Sequence, residues 1–116
     1  MAIELNKAGY ERAITMIKDE LEVEHDSGNW DEVAPTENDM IRYLNTHSLA
    51  EYGAWFLGVD TDADAHDKSK FLYPFGDFNV LHKSALLLIQ KDAEHHHHSE
   101  VAAAVKRLLE MIEYGS

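Results

Sequence analysis

His82 and the carboxylates that precede it are the first candidates for chemistry in this chain. His82 lies in the stretch FLYPFGDFNVLHKSALLLI, residues 71 to 89, and falls on the apolar side of a helix drawn through it. A polar ring placed there must find a partner or cost roughly 1 to 3 kcal/mol. The first reading of His82 is therefore structural, with a hydrogen-bonded neighbour. The second is a site in which His82 works with Asp77, Asp60, Lys68 or Tyr73, gathered where the acidic loop meets the helix. Histidine as acid or base, with a carboxylate to orient it, suits hydrolysis or proton transfer. No serine or cysteine in a nucleophile elbow accompanies these residues, so the sequence nominates no catalytic residue.

Two further clusters bear on metals. Asp60, Asp62 and Asp64 match positions 1, 3 and 5 of a calcium-binding loop, but Ala65 stands where that loop needs glycine and Phe71 where it needs a bidentate carboxylate. The stretch reads as an acidic solvated loop with at most weak cation affinity. His95, His96, His97 and His98 form an inter-helix run whose neutral imidazoles suit nickel or zinc. A physiological site would also need fixed geometry and supporting hydrogen bonds around its ligands, so the expectation is adventitious nickel or zinc affinity and no cofactor.

The elements that must hold these residues read as helices. At about 100° per residue, Phe78, Leu81, His82, Ala85, Leu86, Ile89 and Ala93 share one side, joined by Leu88, while Val80 and Leu87 lie opposite among Lys83, Gln90 and Lys91. The pattern predicts a central apolar helix near 78 to 94, with Asp77 as its N-cap and Pro74 and Gly76 marking a tight entry. Helix 7 to 22 follows Asn6 as cap and carries the stripe Tyr10, Ala13, Ile14, Ile17 and Leu21. Residues 23 to 35 read as a loop or linker that Trp30 anchors. Capping boxes at Thr36 with Asp39, and at Ser48 with Glu51, start helices 37 to 46 and 48 to 57. The first has Met40, Ile41 and Leu44 as its apolar face, and the second stops at Gly58. Ser99 caps a last helix, 100 to 113, along which Val101, Ala104, Val105, Leu108, Leu109 and Ile112 line one face before Gly115.

The fold expected from these elements is all-α, a single domain over 1 to 116. Four to five helices surround the central one, with an irregular acidic loop and a short extended segment at 58 to 77. A chain of 116 residues should bury roughly two thirds of its unfolded surface, enough for a real core. With 22 acidic and 10 basic residues its formal charge is −12, which repels nucleic-acid phosphates and anionic membranes. The absence of cysteine fits a reducing compartment, and the N-terminal residues lack the pattern of a signal peptide, so a cytoplasmic protein without a membrane span is expected.

Several segments resemble a small bacterial family of unassigned function over Trp30 to Ile112. They are Glu51-Tyr52-Gly53, Trp55-Phe56-Leu57-Gly58-Val59-Asp60, Lys68, Tyr73-Pro74-Phe75-Gly76-Asp77-Phe78 and His82-Lys83. That family more often carries His at position 56 and Arg at position 83. The resemblance implies a shared fold around the Gly-Asp-Phe turn and no activity. The aromatic set Tyr52, Trp55, Phe56, Phe71, Tyr73, Phe75 and Phe78 reads mainly as core. Trp55 or Phe75, if partly exposed and rimmed by acidic residues, would form a protein-binding patch. The function expected is a non-enzymatic protein-binding or regulatory module whose partner is basic or presents an apolar helix, with Trp55, Asp60, Lys68, Tyr73, Phe75, Asp77 and His82 as candidate binding residues. The alternative is a small metal-dependent or histidine-based enzyme.

Overall fold

The computed structural model describes residues 3–19, 22–25, 30–64 and 66–114 and has a mixed α and β architecture, which overturns the all-α expectation. Strands β1 (Ile3–Leu5), β3 (Phe56–Asp60) and β4 (Phe71–Pro74) form an antiparallel sheet with β3 in the middle. Strand β2 (Val23–Glu24) pairs in parallel with β5 (Leu81–His82). The helices are α1 (Lys7–Lys18), α2 (Trp30–Val33), α3 (Glu37–Thr46), α4 (Leu49–Gly53), α5 (Lys83–His95) and α6 (Ser99–Tyr114).

The expected helix 48 to 57 stops at Gly53, and Phe56 begins the central strand. Phe56, Leu57 and Gly58 are all buried because β1 and β4 flank the strand and helices cover it, so the apolar-polar alternation that betrays a half-buried strand is absent. Gly58 is consequently a mid-strand residue paired with Leu5 and Leu72 and ends no helix. The expected helix 78 to 94 starts only at Lys83, since residues 78 to 82 make a turn and then β5. Phe78, Leu81, His82 and Ala85 mimic helical spacing because the turn and the strand happen to present them to one core. The supposed loop 23 to 35 contains β2 and α2, although residues 26 to 29 lie outside the described ones. Trp30 does anchor this segment, being buried.

Two helix starts are as expected. Helix α3 has the anticipated bounds, and both capping boxes form, Asp39 N–H to Thr36 Oγ1 at 3.2 Å and Glu51 N–H to Ser48 Oγ at 3.1 Å. Ile41 is nevertheless exposed, and Met40 and Leu44 are half-buried. Helix α1 ends at Lys18; Leu21, expected on its stripe, lies outside the described residues, as does Gly115 after α6. Asn6 occupies the N-cap position of α1 but makes no side-chain cap bond. Its Nδ2 instead donates to Gly53 O at 2.8 Å and Phe56 O at 2.9 Å, fastening α1 across the start of β3.

Four elements supply most of the core, which Trp30 of α2, Tyr52 of α4 and Leu81 of β5 extend. Ala13, Met16 and Ile17 of α1 meet Leu57 of β3, Ala85, Leu86, Ile89 and Ala93 of α5, and Val101, Val105 and Leu108 of α6. Helix α5 packs most extensively on α6, so it is central as expected, but on one side only. Leu87 and Leu88 remain 39% and 38% exposed, which overturns the placement of Leu88 on the buried arc.

Candidate functional site

Asp77 organises a turn, not a helix. Its Oδ1 accepts the N–H groups of Asn79 at 3.0 Å and Val80 at 2.9 Å, as a short carboxylate does when it closes a turn on its own backbone. Its own N–H donates to Val80 O at 3.2 Å. Within this turn Phe78 takes a φ of 69°, a left-handed conformation that side chains with a Cβ adopt only under constraint. Gly76 precedes it where no Cβ fits, since one would lie 2.5 Å from the Trp55 ring. The N-cap position of α5 belongs to His82, whose side chain does not cap the helix.

The second oxygen, Asp77 Oδ2, accepts a hydrogen bond from His82 Nε2 at 3.0 Å. Burial pushes the Asp77 carboxyl up, but the hydrogen bonds from His82, Val80 and Asn79 outweigh it and hold the group below the usual carboxylate range. The ionised carboxylate can only accept, so Nε2 carries the hydrogen. The imidazole is 5% exposed and lies under Trp30, with ring centroids 5.3 Å apart. A histidine held by a carboxylate is the arrangement that orients a general base, but here the ring is buried against the Trp30 indole.

The remaining candidates do not gather around this pair. Trp55 and Phe75 are 2% and 0% exposed, so neither forms the anticipated surface patch. The Trp55 indole donates to Tyr43 Oη at 3.2 Å and is covered by the Arg12 guanidinium, 5.1 Å from the ring centroid. Tyr43 in turn stacks between His47 and Phe78, at 3.8 and 4.5 Å. Phe75 bonds its N–H to Trp55 O and its carbonyl to His82 N–H, which places the Asp77 and His82 turn at the Phe56 end of β3. Asp60 is at the other end, roughly 13 Å away at the rise of a strand. Lys68 is engaged by Glu37, Nζ to Oε1 at 2.6 Å, which raises its pKa. Tyr73 bonds through its hydroxyl to His98 Nδ1 at 2.6 Å, and burial, then the Asp92 carboxylate, pushes that hydroxyl up.

The two metal-like clusters are engaged in local structure. Asp60 Oδ1 accepts Asp62 N–H at 3.0 Å, Asp64 Oδ1 accepts His66 N–H at 2.9 Å, and Ala65 lies outside the described residues. Among the described residues no group of three or more His, Cys, Asp or Glu side chains could hold a metal ion. The histidine run is not a free loop. His98 N–H bonds Ala93 O at 2.8 Å and His97 N–H bonds Glu94 O at 3.3 Å, the two bonds of a Schellman stop, with His97 at φ 59° in the position that glycine usually takes.

A surface that the sequence reading did not single out lies on the outer side of α5 and α6. Among the described residues four large hydrophobic side chains are exposed, and three of them, Leu87, Leu88 and Tyr114, line the grooves here. One groove runs between α5 and α2, with Trp30 and Ser84 in its wall, and the other between α5 and α6, with Leu109 in its wall. The signal was present: Leu87 falls on the α5 arc otherwise occupied by Lys83, Gln90 and Lys91. Leu88 falls beside Leu81 on a helical wheel, but Leu81 belongs to β5 and not to the helix.

No family model, curated protein or solved structure matches the chain. Among the described residues no helix is long and apolar enough to cross a membrane.

Proposed function

We propose that the protein is a non-enzymatic binding module that recognises another protein through the outer face of α5 and α6. The observation carrying this reading is the exposure of Leu87, Leu88 and Tyr114 together on that face while the aromatic set is packed inside. Isolated exposed leucines need no explanation, but adjacent ones lining two grooves mark a contact surface. The internal engagement of Asp77, His82, Lys68 and Tyr73 supports the same reading, because each bonds another side chain of the fold. A formal charge of −12 disfavours nucleic acid and anionic membranes as partners, and a cysteine-free chain suits the cytoplasm.

A photo-crosslinking residue placed at Leu88, and separately at Asn79 beside the Asp77 turn, tests this in native lysate. Crosslinking to protein from position 88 and none from 79 is the expected result. Crosslinking from 79 alone would move the contact surface to the turn and refute the assignment.

A further inference from the structure

We infer that the occupant of the α5 and α6 face is a second copy of this chain. The inference rests on reading that face as a protein contact and adds the identity of what covers it. Leu87 lines both grooves, the one beside Trp30 and the one beside Leu109, so it is a ridge with a groove on each flank. Helices associate by setting the ridge of one into the groove of the other. A surface that carries its ridge next to its groove can satisfy that requirement against itself about a two-fold axis, where each residue meets the partner's counterpart reciprocally.

Charge selects the same occupant. The chain holds 22 acidic and 10 basic residues, so two copies repel one another over most approaches. The two grooves are different. Lys83, Lys91 and Lys106 line them together with Asp31, Glu110 and Glu113, three charges of each sign. The groove linings carry no net charge of their own, and opposite charges beside a shared apolar ridge are what a two-fold contact pairs across its axis. A strongly basic partner would meet three lysines here, and a strongly acidic one three carboxylates. A second copy presents equal numbers of both.

Sedimentation velocity of the purified full chain, from about 1 to 100 μM to bracket a weak self-contact, reads the state directly. Growth of a species at twice the 13.2 kDa chain mass is expected. Leu87→Glu should abolish it with far-ultraviolet dichroism unchanged. Should that variant fold poorly, two charge variants keep the question decidable: K83E/K106E and E110K/E113K should each be monomeric alone, and mixing them should restore the double-mass species. A wild-type chain that stays monomeric throughout, or a dimer indifferent to both leucine and charge variants, overturns the inference. A monomer that still crosslinks to a different protein from position 88 would reject the second copy while leaving the binding-module reading intact.

Discussion

Asp77 makes three hydrogen bonds from one carboxylate, and each holds a different part of the turn. As a helix cap it would be worth about 1 kcal/mol. With two backbone donors and a buried imidazole depending on it, Asp77→Ala should cost about 2 to 3 kcal/mol by chemical denaturation. The pH dependence has a definite sign. The folded carboxyl titrates below its unfolded value, so its contribution is full above about pH 4 and is lost as pH falls through the folded value. The stability difference between the wild type and Asp77→Asn should therefore shrink in acid, and a difference that grows there would contradict the hydrogen-bond account. His82→Ala removes the ring beneath Trp30 as well as the donor to Asp77, and should cost on the order of 2 to 4 kcal/mol, with Gln recovering part of it. At the C-terminus of α5 the opposite is expected. His97 is left-handed in a position suited to glycine, so His97→Gly should raise stability by about 0.5 to 1 kcal/mol, visible as a higher melting temperature. No gain would mean that the ring makes a contact worth as much as the strain.

Helix α1 shows how far an element can be read without its neighbours. On propensity, Gly9→Ala should stabilise α1 by about 1 kcal/mol. In the fold a Cβ at Gly9 would come within 1.8 Å of the Phe56 carbonyl oxygen, and that atom belongs to the central strand and cannot move aside cheaply. Overpacking of this kind typically costs about 1 to 3 kcal/mol, so the substitution should destabilise the protein in a thermal melt, and stabilisation would mean that α1 does not sit this close to β3. The same contrast separates what the sequence displays from what it hides. The capping boxes at Thr36 and Ser48 are legible because a cap is local, with donor and acceptor three residues apart. The strand β3 is hidden because Phe56, Leu57 and Gly58 are buried together, which erases the period of two. Asn6 reads as a cap, yet its amide reaches Gly53 and Phe56, partners about fifty residues away that no local pattern announces. Of the candidate site, only the His82 and Asp77 pairing is legible, since both fall within one short segment. Sheet register carries Asp60 away from that pair, Glu37 engages Lys68 and His98 engages Tyr73, and all three are long-range facts that no local pattern announces.

Among the described residues, the candidate polar side chains are engaged within the fold, and three of the four exposed large hydrophobic side chains share one face. Asp77 and His82 stiffen the turn that leads from β4 into α5, and α5 then presents Leu87 and Leu88 outward while Ala85, Leu86 and Ile89 hold the core. Stability then rests on the turn, and the proposed contact on the outward side chains of the helix that the turn positions. One measurement separates these assignments: the yield of protein crosslinked from position 88 in otherwise wild-type, His82→Gln and Leu87→Glu backgrounds, each verified as folded. The yield should survive His82→Gln and collapse in Leu87→Glu. A yield lost in folded His82→Gln and retained in Leu87→Glu would contradict these assignments and make the buried histidine the working residue.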